Sequence, residues 1–229
     1  MDIYVKFIVG SDITEREIKM IATNKNSNTL NNFVYAVLLM LTGYGVSYFN
    51  NQLFNGFGTF IWFTIFILLS ISFSSVRNLI VPLINFKPFK SSWTYLYMLV
   101  GIMIPYLILK LSVHYEILMD RSLIVNYKNG WLEGPNQLSL IDAVILAPIW
   151  EELLFRGVLL FALLKVVKPV WAVVLTSILF SLFHPAYLFL SLIAGILLAC
   201  ITIKTKSVIP STAIHSTWNL YTGKLFLFF

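Results

Sequence analysis

The stretch IDAVILAPIWEELLFRGVLLFALL, residues 141–164, decides how this chain is read. It is apolar and long enough to cross about 30 Å of hydrocarbon. Yet Glu151 and Glu152 stand side by side at its middle, with Arg156 one turn further on. A charge at the bilayer centre costs at least ~2.5–3.5 kcal/mol on insertion scales, and two adjacent carboxylates repel each other besides. A chain keeps such groups at that depth where they face a protein-lined cavity and have partners. The stretch therefore reads as a functional site inside a membrane.

The rest of the sequence supports a membrane setting. Of 229 residues, 59% are hydrophobic and 11% charged, with a mean hydropathy of +0.84. A soluble domain of this size runs nearer ~25% charged. The apolar stretches divide into seven spans: Phe33–Phe49, Leu53–Phe73, Trp93–Val113, Leu138–Leu164, Pro169–His184, Tyr187–Ile203 and Val208–Phe228. The fold class expected is all-α, a polytopic transmembrane helical bundle of about seven spans. Residues 1–30 form a polar cytoplasmic segment and 31–229 the membrane domain.

A net charge of +6 raises the question of a nucleic-acid partner, and the distribution answers it. With the N-terminus in the cytoplasm, the inner segments carry Lys6, Arg16, Lys19 and Lys25, then Arg77, Lys87 and Lys90, then Lys165 and Lys168, then Lys204 and Lys206. The outer loops carry Arg121 and Lys128, diluted by Glu116, Asp120 and Glu133. This is the positive-inside asymmetry, so the basic balance is topology rather than nucleic-acid binding. Lys110 and Lys224 fall near outer ends, where they can snorkel. Asp2 and Lys6 interrupt any apolar core near the N-terminus, which does not read as a signal peptide. Ser74–Ser92 reads as a cytoplasmic loop whose apolar piece, Leu79–Phe86, forms an interfacial helix. His114–Gln137 reads as an outer loop.

Cys200 is the single cysteine, which excludes an intramolecular disulfide and a cysteine-rich metal site. Of the three histidines, His114 sits at an interfacial span end. His184 and His215 fall within apolar spans, where each alone reads as a buried structural histidine. Depth changes that reading. Counted from the basic ends, Glu151 and Glu152 lie ~20 Å in, His184 ~24 Å, His215 ~13 Å and Asn219 ~19 Å. Five such groups on three helices are costly to bury unless they satisfy one another, so they are expected to converge. Glu152 and Arg156, and likewise His215 and Asn219, are four residues apart and share a helix face. Pro148 is expected to kink the helix, and Gly157 to permit close helix approach.

A carboxylate beside an imidazole can deprotonate a water and return the proton to a leaving amine. A second histidine and a carboxamide can stabilise the oxyanion of a tetrahedral intermediate. Glu151, His184 and His215 are also a zinc-type ligand set, so the cofactor expectation is either none or Zn. Both routes lead to hydrolysis of an acyl bond. Two further classes stay open: a polar core that merely fixes helix packing, and a small proton-coupled transporter. The first half lacks an ionisable residue at depth, which weighs against the transporter.

Glu151-Glu152-Leu153-Leu154-Phe155-Arg156, Phe180-Ser181-Leu182-Phe183-His184 and His215-Ser216-Thr217-Trp218-Asn219 resemble the EExxxR, FxxxH and HxxxN motifs of the CAAX-protease and bacteriocin-processing (CPBP/Abi) family. The resemblance covers 151–219 and implies an intramembrane protease domain over 31–229 with a motif core at 139–221. It implies Glu151 as general base on a water that His184 helps hold, His215 and Asn219 as the oxyanion site, and Glu152 and Arg156 in support. It leaves open a metalloprotease or a metal-independent glutamate protease. The expected partners are the bilayer and a peptide or membrane-protein substrate. The expected place is the cell membrane, as a multi-pass protein of a bacterial plasma membrane. Bacteriocin self-immunity and peptide processing are the roles the family suggests.

Overall fold

The computed structural model describes residues 28–53, 57–129 and 141–222. All regular structure in them is helical, without a strand. Nine helical elements suffice to follow the chain: α1 Thr29–Leu53, α2 Gly58–Ser72, α3 Ser74–Leu83, α4 Ser92–Tyr115, α5 Arg121–Asn129, α6 over 142–163, α7 Pro169–Leu182, α8 Leu188–Thr205 and α9 Ile209–Thr222. Element ends follow local chemistry. Pro169 opens α7, where its missing N–H has no partner to lose. Glu116 and Lys206 end α4 and α8 in the left-handed conformation, with φ 56° and 52°. His184 precedes Pro185, is thereby pushed out of the helical region, and sits at the break between α7 and α8.

Among the described residues, three stretches are long and apolar enough to cross a membrane: Thr29–Val46, Ser92–Tyr115 and Pro185–Thr205. A fourth arises if Gly58–Ser72 and Ser74–Lys90 count as one span bent by 102°. The chain is thus a multi-pass membrane protein, while the count of seven is not established by helix length. The bend falls at Phe73, whose extended backbone (ψ 100°) separates α2 from α3. The predicted N-terminal segment up to residue 27, the end of the outer loop and Lys224 lie outside the described residues.

The segment Ser74–Ser92, expected as a loop with an interfacial helix at Leu79–Phe86, is helical from its first residue. The apolar piece predicted at Leu79–Phe86 belongs to a helix that begins at Ser74 and ends at Leu83. Its inner face is buried through Val76, Leu79, Ile80 and Leu83, spaced three and four apart, while Val81, Ile84 and Phe86 are exposed. The buried four pack into the main core with Tyr35, Leu39, Phe66, Phe155 and Val158. The signal was the three-and-four spacing, masked by Pro82 and Asn85 near the end of the run.

α6 is the axis of the bundle, with every residue from 151 to 162 buried. It is not uniform: Asp142–Leu146 and Leu153–Leu159 are π-helical, and Ala147–Glu152 and Leu160–Leu163 are α-helical. Interruptions of that kind inside a helix recur at functional sites, because they re-aim side chains. At one end of the bundle the α8–α9 turn is tied to the segment after α3. Val208 N–H donates to Leu83 O at 3.0 Å, Ser207 Oγ to Asn85 O at 2.7 Å, and Asn85 Nδ2 to Lys206 O at 3.0 Å. At the other end Asp120 N–H donates to Ala186 O at 3.1 Å, joining the turn after α4 to the α7–α8 break.

Candidate active site

Glu152 and Arg156 project from the centre of α6 and are almost wholly enclosed, 0% and 1% exposed. A charge there must be met by another, and Arg156 Nη1 donates to Glu152 Oε1 at 2.9 Å. The guanidinium also lies over the Phe180 ring of α7, 4.2 Å from its centroid, and Nη2 reaches Gly195 O of α8 at 3.5 Å. The ion pair is thus fixed by three helices. Glu152 Oε1 accepts a second hydrogen bond from His215 Nδ1 of α9 at 3.0 Å. The i, i+4 pairing of Glu152 with Arg156 is as the sequence predicted.

The two histidines are oriented alike. His184 Nδ1 lies 3.0 Å from Phe180 O, and a carbonyl oxygen only accepts, so Nδ1 carries the proton. His215 Nδ1 likewise donates to the Glu152 carboxylate. Each ring therefore turns its Nε2 away from these partners, and both Nε2 atoms lie 3.8 Å from Glu151 Oε2. That oxygen is buried and has no hydrogen-bond partner among the described residues. Phe180 organises the rings, its own ring standing 4.6 Å from that of His184 and 5.8 Å from that of His215. Sequence reasoning gave Phe180 no role; its place four residues before His184 was the available signal.

Glu151, His184 and His215 have the donor chemistry of a zinc site, but not its spacing. Ligand atoms around a tetrahedral zinc, each ~2.0–2.1 Å from the metal, stand about 3.4 Å apart. Here the separations from Glu151 Oε2 are 3.8 Å, and no group of three His, Cys, Asp or Glu among the described residues is placed to hold an ion. A water suits the spacing better: at about 2.8 Å from two such atoms it sees them nearly 90° apart.

Asn219 is placed differently. Its Nδ2 donates to Ala143 O at 2.8 Å, at the head of α6. The π-helical bond from Ala147 N–H to Asp142 O precedes it. The next bond in that pattern would run from residue 148 to Ala143 O, and Pro148 has no N–H to give. The carboxamide supplies the missing donor and clamps α9 to α6. Gly157 does not act as predicted: a Cβ added there meets Ile80 Cγ1 at an ordinary 3.6 Å. The close approach occurs at Gly195, where a Cβ would lie 3.2 Å from Ser177 Cα. Bringing α8 that near α7 is what places the Gly195 carbonyl within reach of Arg156.

Two cavities flank the cluster. One of about 510 Å³ includes Glu151, Trp62, Trp150, Leu154 and Phe155 in its lining. Another of about 230 Å³ has His184, His215 and Asn219 in its wall. The site layer lies where the two linings meet, so Glu151, Glu152, Arg156, His184 and His215 come together as predicted, with Asn219 on the rim of the smaller cavity.

Residues 135–221 match the model of a protein family described as type II CAAX prenyl endopeptidase Rce1-like. The matched segment is under half of the chain and contains all three motifs. The resemblance to the CAAX-protease family holds there, and that family is one of proteases. No curated protein and no solved structure matches the chain.

Proposed function

We propose that this multi-pass membrane chain, of the CAAX-protease family over residues 135–221, is an intramembrane endopeptidase that hydrolyses a peptide bond of a membrane-associated peptide or protein. The observation that carries the reading is the convergence of Glu151 Oε2, buried and unpaired, with two histidine Nε2 atoms at 3.8 Å. A structural polar core would pair that oxygen; a hydrolytic site leaves it for water.

The chemistry follows from the orientations. Glu151 accepts a proton from water while His184 Nε2 accepts the water's other hydrogen and fixes its lone pair toward the scissile carbonyl. The water oxygen bonds to the carbonyl carbon, and the carbonyl electrons move to its oxygen. His215 enters the step as an imidazolium, protonated from solvent before the water attacks, and its Nε2–H donates to that oxyanion; it keeps this proton throughout. The Glu152 anion on Nδ1 supports that imidazolium, and Arg156 holds Glu152 in place. The second amide hydrogen of Asn219 is free to help. Glu151 then returns its proton to the leaving nitrogen, the C–N bond breaks, and a carboxylic acid and an amine depart. No step is routed through a metal.

The finer setting belongs to the same proposal. The chain crosses the membrane seven times with its N-terminus in the cytoplasm, since the basic segments then all fall on one side. It sits in a bacterial plasma membrane and serves peptide processing or bacteriocin self-immunity, roles suggested by the family resemblance. The test compares new protein termini in cells making wild type and Glu151→Gln at matched membrane levels. Termini found with wild type alone are expected. Identical terminus profiles, with the cell's phenotype kept by the Gln variant, would contradict the proposal.

A further inference from the structure

The larger cavity has an address that the chemistry does not use. Its lining takes Leu39, Met40 and Tyr44 from the middle of α1, Gly58 and Thr59 from the start of α2, and Asp142 and Ala147 from the start of α6. The cavity thus runs from mid-bundle toward the end where α1 and α4 finish and α2 and α6 begin. The basic residues collect at the opposite end. Lys87 and Lys90 follow α3, Lys165 and Lys168 follow α6, and Lys204 and Lys206 close α8. The bonds joining Asn85 to Lys206 and Leu83 to Val208 show that these segments meet. By the positive-inside rule the basic end faces the cytoplasm, so the cavity lies on the far side of the site layer.

The cavity also has polarity. Between aromatic and aliphatic walls it holds two carboxylates about 13 Å apart along α6, Glu151 at its floor and Asp142 near its outer end. Glu151 is nine-tenths buried with Oε2 unpaired. Asp142 Oδ2 accepts a hydrogen bond from Thr59 Oγ1 at 3.1 Å, and no ion pair engages Asp142 among the described residues. An acid held in place by a hydroxyl, without a cation, at the entrance of an apolar cavity is complementary to a basic group followed by an apolar one.

We propose that this cavity is the substrate entrance, that it opens on the non-cytoplasmic face, and that Asp142 selects a peptide segment carrying a basic residue beside an apolar one. The peptide as occupant rests on the endopeptidase reading. The side of access rests instead on the orientation that the charges give, so the two are tested apart by measuring access rather than cleavage.

The experiment places one cysteine at Ala147, between Asp142 and Glu151, in a Cys200→Ser background. Met40→Cys, on the opposite wall, gives the same readout from a second helix. Membrane-impermeant thiosulfonates, one cationic (trimethylammonium-ethyl) and one anionic (sulfonato-ethyl), are applied to intact cells and to inverted vesicles, with Lys87→Cys as the marker of the basic end. The expected result is reaction at 147 and 40 in intact cells, reaction at 87 in inverted vesicles only, and a cationic reagent about tenfold faster at 147. Asp142→Asn should reduce that preference severalfold while leaving access unchanged. Reaction at 147 and 40 from the vesicle side alone, or from neither side, overturns the entrance. A cationic preference unaffected by Asp142→Asn overturns the selectivity.

Discussion

Pro148 and Asn219 illustrate how much one residue pair can decide. The proline withholds the N–H that Ala143 O would accept in the π-helical pattern, and the carboxamide 71 positions later supplies it at 2.8 Å. Asn219→Ala is therefore expected to loosen α9 against α6 and to slow cleavage by about 10²-fold through misplacement of His215. Adding Pro148→Ala returns a backbone donor to Ala143 and should recover part of the loss. A double-mutant cycle of cleavage rates reads the coupling, and strict additivity would refute the clamp. Glu151, Glu152, Arg156, His184 and His215 were legible in the sequence because each is too costly to bury without purpose. The Asn219–Ala143 bond was not, since it depends on a π-helical register that apolar periodicity does not disclose. Asp142 was not either: an acid near a span end is ordinary until a cavity is seen beside it.

At the scale of elements, the close packing of α7 with α8 holds the site's cation. Gly195 stands where a Cβ would meet Ser177 Cβ at 3.1 Å and the Ser177 backbone at 3.2 Å, both too near for the helices to keep their spacing. Gly195→Ala should cost about 1–3 kcal/mol and pull its carbonyl from Arg156. Adding Ser177→Gly relieves the crowding by the serine side chain but not that by its backbone, so it should restore only part of the loss. Thermal unfolding in detergent measures both, and an unchanged Tm for Gly195→Ala would count against this packing. Long helices such as α4 and α8 were visible as uninterrupted apolar runs of the right length. α3 was expected to begin only at Leu79; its start at Ser74, directly after a sharp bend, was not legible from composition. Only packing reveals that its face is buried. Gly157 and Gly195 show the same limit, since a lone glycine in an apolar run gives no hint which one touches a neighbour.

At the scale of the molecule, a polar layer is assembled from α6, α7 and α9 inside an apolar bundle. The side chains that make its burial costly are the ones to which the proposed hydrolysis assigns roles. All-helical architecture and membrane location followed from composition, and the sidedness of charge followed from loops. The number of crossings did not, because α7 and α9 are 14 residues each and α2 bends into α3. Neither length nor hydropathy fixes whether such short helices span. The proposed hydrolysis turns on Glu151, and the most direct measurement is the cleavage rate of its Gln variant beside wild type. Both are purified, reconstituted in vesicles with the substrate that the terminus comparison identifies, and freed of metal with a chelator. Wild type is expected to keep its rate under chelation, and Glu151→Gln to be slower by about 10²–10⁴-fold. A Gln variant that cleaves at the wild-type rate, or a wild type silenced by chelation and restored by zinc, would contradict a glutamate-activated water.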